Sequence, residues 1–323
     1  MSEFWQGYPK VYKELSYVKS IIKENLKGSD VYLKDSIIPS VEQGGKMLRP
    51  AFVLLSAKFG EYNCEKISKL AAVVEMLHLA TLIHDDIIDN SKLRRGCESI
   101  QSKYGKDFAV YAGDYLFCQC FNVLSKDDYA VENLKDVSKT ITRICMGEIK
   151  QNYFRYTKKI NLNKYIRIIS GKTAALFSLS FILGSNESKC DRKLVKTLGR
   201  IGYNIGMAFQ IIDDLLDYVG DVEKMGKGTQ NDLKQGYYTL PIIFALQEDK
   251  EGTLSKILDN STFKEDDVKK IFKLVIKLNG VEKSKKLVER YSTRAFNSIK
   301  KLPDCESKII LLEVLETLIY RKY

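Results

Sequence analysis

No proline occurs between Ala51 and Leu240, although the 323-residue chain carries five, at positions 9, 39, 50, 241 and 303. An interior proline removes a helical hydrogen bond and clashes with the preceding turn, so a stretch this long without one is open to long helices. A β-sandwich, which needs frequent turn punctuation, is correspondingly disfavoured. Apolar residues recur at helical spacing through almost the whole chain, interrupted at short Gly-, Asn- and Ser-containing points rather than by long linkers. The pattern predicts helices near 10–27, 30–42, 48–60, 64–89, 101–125, 129–157, 162–184, 190–219, 232–248, 264–278, 280–300 and 304–321. Pro39 is expected to kink or stop the second of these. Behind Pro303, Asp304, Glu306 and Ser307 mark the start of the last, whose apolar stripe includes Ile309, Leu312 and Leu315. No shift in composition marks a boundary, so the reading is one all-α domain over 1–323.

Two apolar stretches, Leu70 to Ile83 and Ile201 to Ile212, each run into the same acidic signature: Asp85-Asp86-Ile87-Ile88-Asp89 and Asp213-Asp214-Leu215-Leu216-Asp217. Residues four apart share a helix face, so Asp85 pairs with Asp89 and Asp213 with Asp217. Like charges placed beside a buried run repel unless something positive intervenes. Ligand sets made only of oxygen, without Cys or clustered His, favour a hard cation such as Mg2+ that takes the rest of its shell from water and substrate phosphates. One such signature alone reads as a solvated helix end. A second copy with the same spacing and the same apolar lead-in turns the pair into a magnesium-diphosphate site, with the two signatures expected on facing inner helices.

Lys and Arg number 52 against 41 Asp and Glu, a formal charge of +11. That balance suits nucleic acid, an anionic membrane surface or an anionic small substrate. The chain has no aromatic-interleaved basic motif, zinc-finger spacing or basic heptad helix, which sets nucleic acid aside. Seven cysteines, at 64, 97, 118, 120, 145, 190 and 305, lack CxxC or metal-type spacing and read as reduced, mostly buried thiols of a cytoplasmic protein. The N-terminal MSEFWQGYPK has no apolar signal region. The most apolar windows are broken by Glu75, His78, His84, Gln210 and the aspartates or end at Gly184, short of the ~20 residues a membrane span needs. A soluble protein without a transmembrane segment is expected.

A diphosphate beside two acidic pairs needs cations, and local groups supply candidates. In Gly44-Gly45-Lys46-Met47-Leu48-Arg49-Pro50, glycines let backbone approach an anion, while Lys46 and Arg49 can converge on it from a helix start. Arg94-Arg95-Gly96 follows the first signature, and its adjacent guanidiniums point different ways, toward separate phosphates. His78 lies about two turns before Asp85 on the same face; His84 sits one step round and reads as structural. Lys172-Thr173 follows Ser170-Gly171 in a way that superficially matches the end of a P-loop, but the upstream glycine and preceding strand are missing. Gln210, three residues before Asp213, is placed to donate to a phosphate oxygen. Lys227, between Gly226 and Gly228, sits on a loop suited to closing over a site.

These groups, with Glu75-Met76-Leu77-His78, Gly147-Glu148-Ile149, Phe209 to Asp217 and Thr239-Leu240-Pro241, resemble the all-trans polyprenyl (isoprenyl) diphosphate synthases across nearly the whole chain, most closely the long-chain heptaprenyl, hexaprenyl and octaprenyl type. The resemblance implies an isoprenoid-synthase-type helical bundle around a central cavity. It implies head-to-tail condensation of isopentenyl diphosphate with an allylic diphosphate, farnesyl or geranylgeranyl, assisted by about three Mg2+ ions bridged by the substrate diphosphate. Lys46, Arg49, His78 and Arg95 are then expected on the isopentenyl diphosphate, and Arg94, Lys172, Thr173, Gln210 and Lys227 on the allylic one. Asp85, Asp89, Asp213 and Asp217 form the metal set with Asp86 in support; Asp85, Asp86, Asp89, Lys172 and Asp213 carry catalysis. The chain departs from the family where a Gly-Lys pair commonly precedes Thr-Leu-Pro. Here the run is Gly236-Tyr237-Tyr238-Thr239-Leu240-Pro241, and a cation for the allylic diphosphate is missing at Tyr237. The loop Gly226 to Asp232 also lacks the family's usual proline and later glycine, so its closure is expected to differ.

By the same resemblance, Leu77, Ala80 and Thr81 form the floor of the product channel, with Val74, Phe117, Phe121 and Met146 deeper. A bulky aromatic before the first aspartates stops growth early in this family, and small Ala80 and Thr81 put none there, implying a product of about six to eight isoprene units. The alternatives are a geranylgeranyl synthase or the catalytic subunit of a heterodimeric synthase. A homodimer, a small regulatory subunit and transient membrane contact for product release are the expected associations. A terpene cyclase or head-to-head synthase would not need the separate isopentenyl cations, and a noncatalytic subunit would not need intact acidic pairs.

Overall fold

The computed structural model describes residues 3–27, 30–43, 45–94, 96–126, 129–219, 231–260 and 262–319. After a 3-10 turn at Glu3–Trp5, α1 (Pro9–Asn25) begins with its proline in the first turn, where a missing N–H costs nothing. Asp30 caps α2 (Val31–Glu42) by accepting from the Tyr32 N–H at 2.9 Å, and the helix runs through Pro39 rather than stopping at it. Then come α3 (Leu48–Ala57) and α4 (Cys64–Ile88), the latter capped by Asn63. A short hairpin, β1 (Leu93–Arg94) with β2 (Cys97–Glu98), which helical periodicity does not reveal, follows the first acidic signature. The helix expected over 101–125 is divided into α5 (Ile100–Tyr104) and α6 (Lys106–Lys126) by Gly105, whose φ of +92° no other residue adopts easily.

The chain continues with α7 (Val131–Tyr153), α8 (Leu162–Ile169), a π-turn at Ser170–Ala174, α9 (Ala175–Glu187) and α10 (Arg192–Val219). The expected 232–248 helix is two pieces, α11 (Asn231–Lys234) and α12 (Leu240–Glu248), because the backbone turns at Gly236 and Pro241 restarts it. Four more complete the order: α13 (Thr253–Ile257), α14 (Glu265–Lys277), α15 (Gly280–Lys300) and α16 (Glu306–Ile319). In α16 the inward stripe is Ile310, Leu311, Val314, Leu315 and Leu318; Ile309, expected inside, is 58% exposed.

Internal contacts group the chain into two units, Met1–Ser138 with Leu179–Gly199, and Lys139–Ser178 with Arg200–Tyr323. In the first, α4 is apolar on nearly every face and is buried along most of its length, packing on α1, α3 and α6. Phe52 of α3 stacks on Phe181 of α9, with ring centroids 4.9 Å apart. The second unit is built on the apolar face of α10, where Met207, Ala208, Ile211, Ile212 and Leu215 pack with Ile242 and Ile243 of α12, Ile271 and Val275 of α14 and Val288 of α15. Tyr218 stacks on Phe272 at 4.5 Å.

Two expectations need correction. Only Cys120 among the seven cysteines is buried, its thiol 3.5 Å from the Val73 carbonyl; Cys64, Cys118 and Cys145 are exposed because they fall on the outward faces of their helices. The stretches Cys64–Ile88 and Leu162–Glu187 do reach the length and apolarity of a membrane span, although most of each is buried against other helices. Their polar residues are too few and too well placed to break the apolar run.

Gly184 of α9 lets backbone meet backbone: a Cβ there would lie 2.1 Å from the Val53 carbonyl oxygen and 2.4 Å from Ser56 Oγ. Replacing a helix-interior glycine by alanine ordinarily gains about 1 kcal/mol. At Gly184 the clash reverses the sign, and Gly184→Ala is expected to lose about 1–3 kcal/mol, read as a lower urea midpoint. An unchanged midpoint would rule out the close approach.

Candidate functional site

The left-handed backbone of Met47 (φ 47°) starts α3 and fixes where Lys46 and Arg49 leave the chain. The Lys46 carbonyl accepts from the Trp5 indole, and its ammonium lies 4.9 Å from the Phe4 ring centre. Arg49, in the first turn of α3, places Nη1 3.1 Å from His78 Nε2 on α4. Two turns further along α4 come Asp85 and Asp86, with Asp89 as the C-cap. Asp85 and Asp89 are half-buried, whereas Asp86 is 5% exposed. Arg94 on β1 grips Asp86 through Nε at 2.9 Å and Nη2 at 2.5 Å. The guanidinium that the sequence offers to a phosphate is thus engaged by the middle aspartate of the signature, and the hairpin is what brings it back there. Arg95 lies outside the described residues. His84 packs its ring against Gly113 of α6 and sits 3.4 Å from Asp114, in keeping with a structural role. Leu77 and Ala80 are fully buried, and the half-buried Thr81 donates to the His78 carbonyl at 2.8 Å.

In the second unit the π-turn carries Lys172 and Thr173. Gly171 and Gly147 make it possible: a Cβ on Gly171 would lie 2.5 Å from the Arg143 carbonyl, and one on Gly147 2.7 Å from the Lys172 N–H nitrogen. Single π-turns inside helices recur at functional sites because they shift the phase of a few side chains. Lys172 reaches Glu148 of α7 at 3.1 Å. Thr173 donates to Gln210 Oε1 at 2.6 Å, Gln210 Nε2 donates to Asp214 Oδ1 at 2.8 Å, and Tyr165 donates to Asp214 Oδ2 at 2.5 Å. Gln210 therefore commits one of its two amide N–H groups to Asp214, in addition to the phosphate contact expected from the sequence. Asp213 is exposed and Asp217 half-buried, while Asp214 is an internal anchor with both oxygens filled. Burial, then the charge of Asp232, push the Asp214 carboxyl well above its ordinary range, and burial likewise raises the Tyr165 phenol. Asp217 is pushed up to about 7 by burial, by Asp232 and by Asp213. Lys227 and its loop lie outside the described residues.

Tyr165 and Asp232 are the site residues that sequence reading missed. Tyr165 looks like one more apolar position of α8, and nothing local signals that its hydroxyl meets an aspartate 49 positions away.

Both acidic signatures fit a hard cation. Each occupies the C-terminal end of its helix, where the macrodipole adds about half a negative charge, and neither helix has a basic residue in its last turn. Among the described residues no group of three or more His, Cys, Asp or Glu converges into a closed cage. Carboxylate pairs of this kind leave most of a Mg2+ shell to water and phosphate oxygens, the arrangement Mg2+ prefers.

The profile of the polyprenyl synthetase family matches residues 30–275. A heptaprenyl diphosphate synthase component 2 from Bacillus subtilis is 33% identical over 321 residues, covering 99% of this chain and 92% of that one. The crystal structure of a geranylgeranyl pyrophosphate synthase from Lactobacillus brevis superposes with a TM-score of 0.93 at 32% identity, covering 99% of both chains. That of a heptaprenyl diphosphate synthase from Staphylococcus aureus gives 0.89 at 30% identity, covering 97% of this chain and 99% of the other.

Tyr165→Phe strands one oxygen of a buried carboxylate and is expected to lower stability by about 1–3 kcal/mol in urea unfolding. Adding Asp214→Asn should recover part of the loss, since a neutral amide is less costly to bury than a carboxylate. Equal stability of Tyr165→Phe and the parent chain would contradict the buried pairing.

Proposed function

We propose, from the premise that this chain belongs to the polyprenyl synthetase family, that it builds a medium- to long-chain all-trans polyprenyl diphosphate. It is a trans-prenyltransferase with the all-α isoprenoid synthase fold, joining isopentenyl diphosphate to an allylic diphosphate in a Mg2+-dependent family. The observation that carries the residue assignment is the pair of acidic signatures at helix C-termini without a basic residue in the last turn.

Asp85 with Asp89, and Asp213 with Asp217, would hold Mg2+, about three ions in all. When bound, Mg2+ stabilises the charge on a departing diphosphate. Lys46, Arg49, His78 and Arg95 bind the isopentenyl diphosphate. Lys172, Thr173 and Lys227 bind the allylic one, with Gln210 holding Thr173 in place and Arg94 fixing Asp86. The allylic C–O bond breaks, the isopentenyl double bond attacks the resulting carbocation, and a proton passes to the released diphosphate. No protein nucleophile is required.

Product length follows from Leu77, Ala80 and Thr81, whose small side chains at the last two positions leave the channel open beyond a geranylgeranyl chain. The exposed stripe of α6, with Val110, Tyr111 at 73% exposure and Phe121, supports a homodimer, and an exposed apolar face of this kind marks an interface. The similarity to a component 2 protein favours a second reading, in which a small subunit is also needed. The two apolar helices long enough to cross a membrane are mostly buried against other helices, in keeping with a cytoplasmic protein that contacts the membrane transiently for product release.

Purified chain given farnesyl diphosphate, radiolabelled isopentenyl diphosphate and Mg2+ should incorporate label into a product of about six to eight units, and lack of incorporation would overturn the stand-alone reading. Asp85→Ala and Asp213→Ala should each reduce turnover by about a hundredfold or more while melting like the parent chain. Near-native rates in either would sink the metal assignment. Ala80→Phe is expected to shorten the product on mass analysis, and an unaltered length distribution would refute the floor.

A further inference from the structure

The turn that follows α7 presents an arginine in an unusual way. Tyr156 has φ 53°, a left-handed conformation rare for a bulky residue, and such strain persists only where the surroundings enforce it. Three consecutive carbonyls do so. Tyr156 Oη donates to Lys234 at 3.0 Å, Arg155 Nε to Gln235 at 2.8 Å, and the Tyr156 N–H to Gly236 at 2.8 Å. Gly236 is itself at φ +82°, and a Cβ there would lie 2.5 Å from the Tyr156 ring, so the two turns are clamped together.

The clamp leaves the Arg155 guanidinium half-buried, its central carbon 5.0 Å from the Tyr237 ring centre and 5.6 Å from that of Tyr156. Both rings favour a cation over their faces. Nε is used by Gln235, which leaves the guanidinium's other N–H groups for a ligand. Among the described residues no carboxylate pairs with this guanidinium. That is notable next to acidic neighbours: the Tyr237 N–H donates to the Asp232 carbonyl at 2.8 Å, and the Asp232 carboxylate bears on Asp214 and Asp217. An orienting backbone bond, two aromatic faces and no carboxylate partner among the described residues make a preorganised receptor for a phosphate oxygen.

We propose that Arg155 is a diphosphate-binding residue that supplies, from the end of α7, the positive charge absent at Tyr237, with the Tyr237 ring acting as its support. This rests on the prenyltransferase reading and assigns the contact to the allylic diphosphate. The lysine that Tyr237 replaces would itself have carried a cation; here the ring carries one borrowed from α7.

The test uses the full chain with Mg2+ and farnesyl diphosphate, without isopentenyl diphosphate so that nothing turns over, read by titration calorimetry. Arg155→Gln should weaken binding about 10- to 100-fold, the range of a lost charge-assisted hydrogen bond. Inorganic diphosphate should weaken by a similar factor, because the headgroup is what is recognised, while the KM for isopentenyl diphosphate stays put. Arg155→Lys, which keeps the charge and loses the fork, should fall between. Tyr237→Lys in the Arg155→Gln background should restore most of the affinity. Melting by circular dichroism separates lost binding from lost fold. Parent-like farnesyl diphosphate affinity in a folded Arg155→Gln, or equal weakening toward isopentenyl diphosphate, would overturn the assignment. A parent chain that binds no farnesyl diphosphate would instead overturn the prenyltransferase reading beneath it.

Discussion

Four carboxylates at two helix C-termini set the terms for the chemistry of this molecule. Asp85 with Asp89 and Asp213 with Asp217 repel across single helical turns, and the negative end of each helix dipole adds to the repulsion. In the second group burial, and after it the charge of Asp232, raises the Asp217 carboxyl to about 7 and pushes the buried Asp214 well above its ordinary range. A divalent cation bound at either pair would relieve the repulsion there. In the prenyltransferase reading, Mg2+ held there would stabilise a departing diphosphate, so the charge that burdens the fold is what would serve the reaction.

The middle aspartates are treated differently from the outer ones. Asp86 is closed off by Arg94 from the β-hairpin, and Asp214 by Tyr165 and Gln210. In both signatures the outer carboxylates remain more accessible while the middle one ties the helix end to its surroundings. Through Gln210, Asp214 is also linked to Thr173 and hence to the π-turn that carries Lys172. The π-turn is pinned on its other side by the close approach of Gly171 to the Arg143 carbonyl. Glycine contact and hydrogen-bond chain together decide the phase at which the lysine leaves the helix.

Much of the fold was legible because helical periodicity, proline placement and caps all agree over long stretches. Where the reading slipped, the cause was local backbone chemistry. Gly105 and Gly236 adopt positive φ and divide expected helices, while Pro39 is absorbed into α2. In α16 Leu315 faces inward as expected, but Ile310 rather than Ile309 does so, because the two are chemically alike and only packing selects between them. Among site residues, those fixed by spacing on one helix, such as His78 and the aspartates, could be placed from sequence. The partners of Arg94 and Gln210 could not, because each is a choice among polar groups that only the folded chain brings within reach.

The sequence by itself determined the all-α class and the two acidic signatures, since helical spacing puts like charges on one face, and its resemblance to the polyprenyl synthases pointed to the reaction. Tertiary structure decided which polar atoms find each other. It turned Gln210 toward Asp214, gave Tyr165 a buried aspartate, and set Arg155 over Tyr237 where the chain had seemed to lack a cation. The physical reason is range: spacing along a helix is fixed by backbone geometry within a few residues, whereas a hydrogen bond or a cation over a ring depends on ångström distances between segments far apart in the chain.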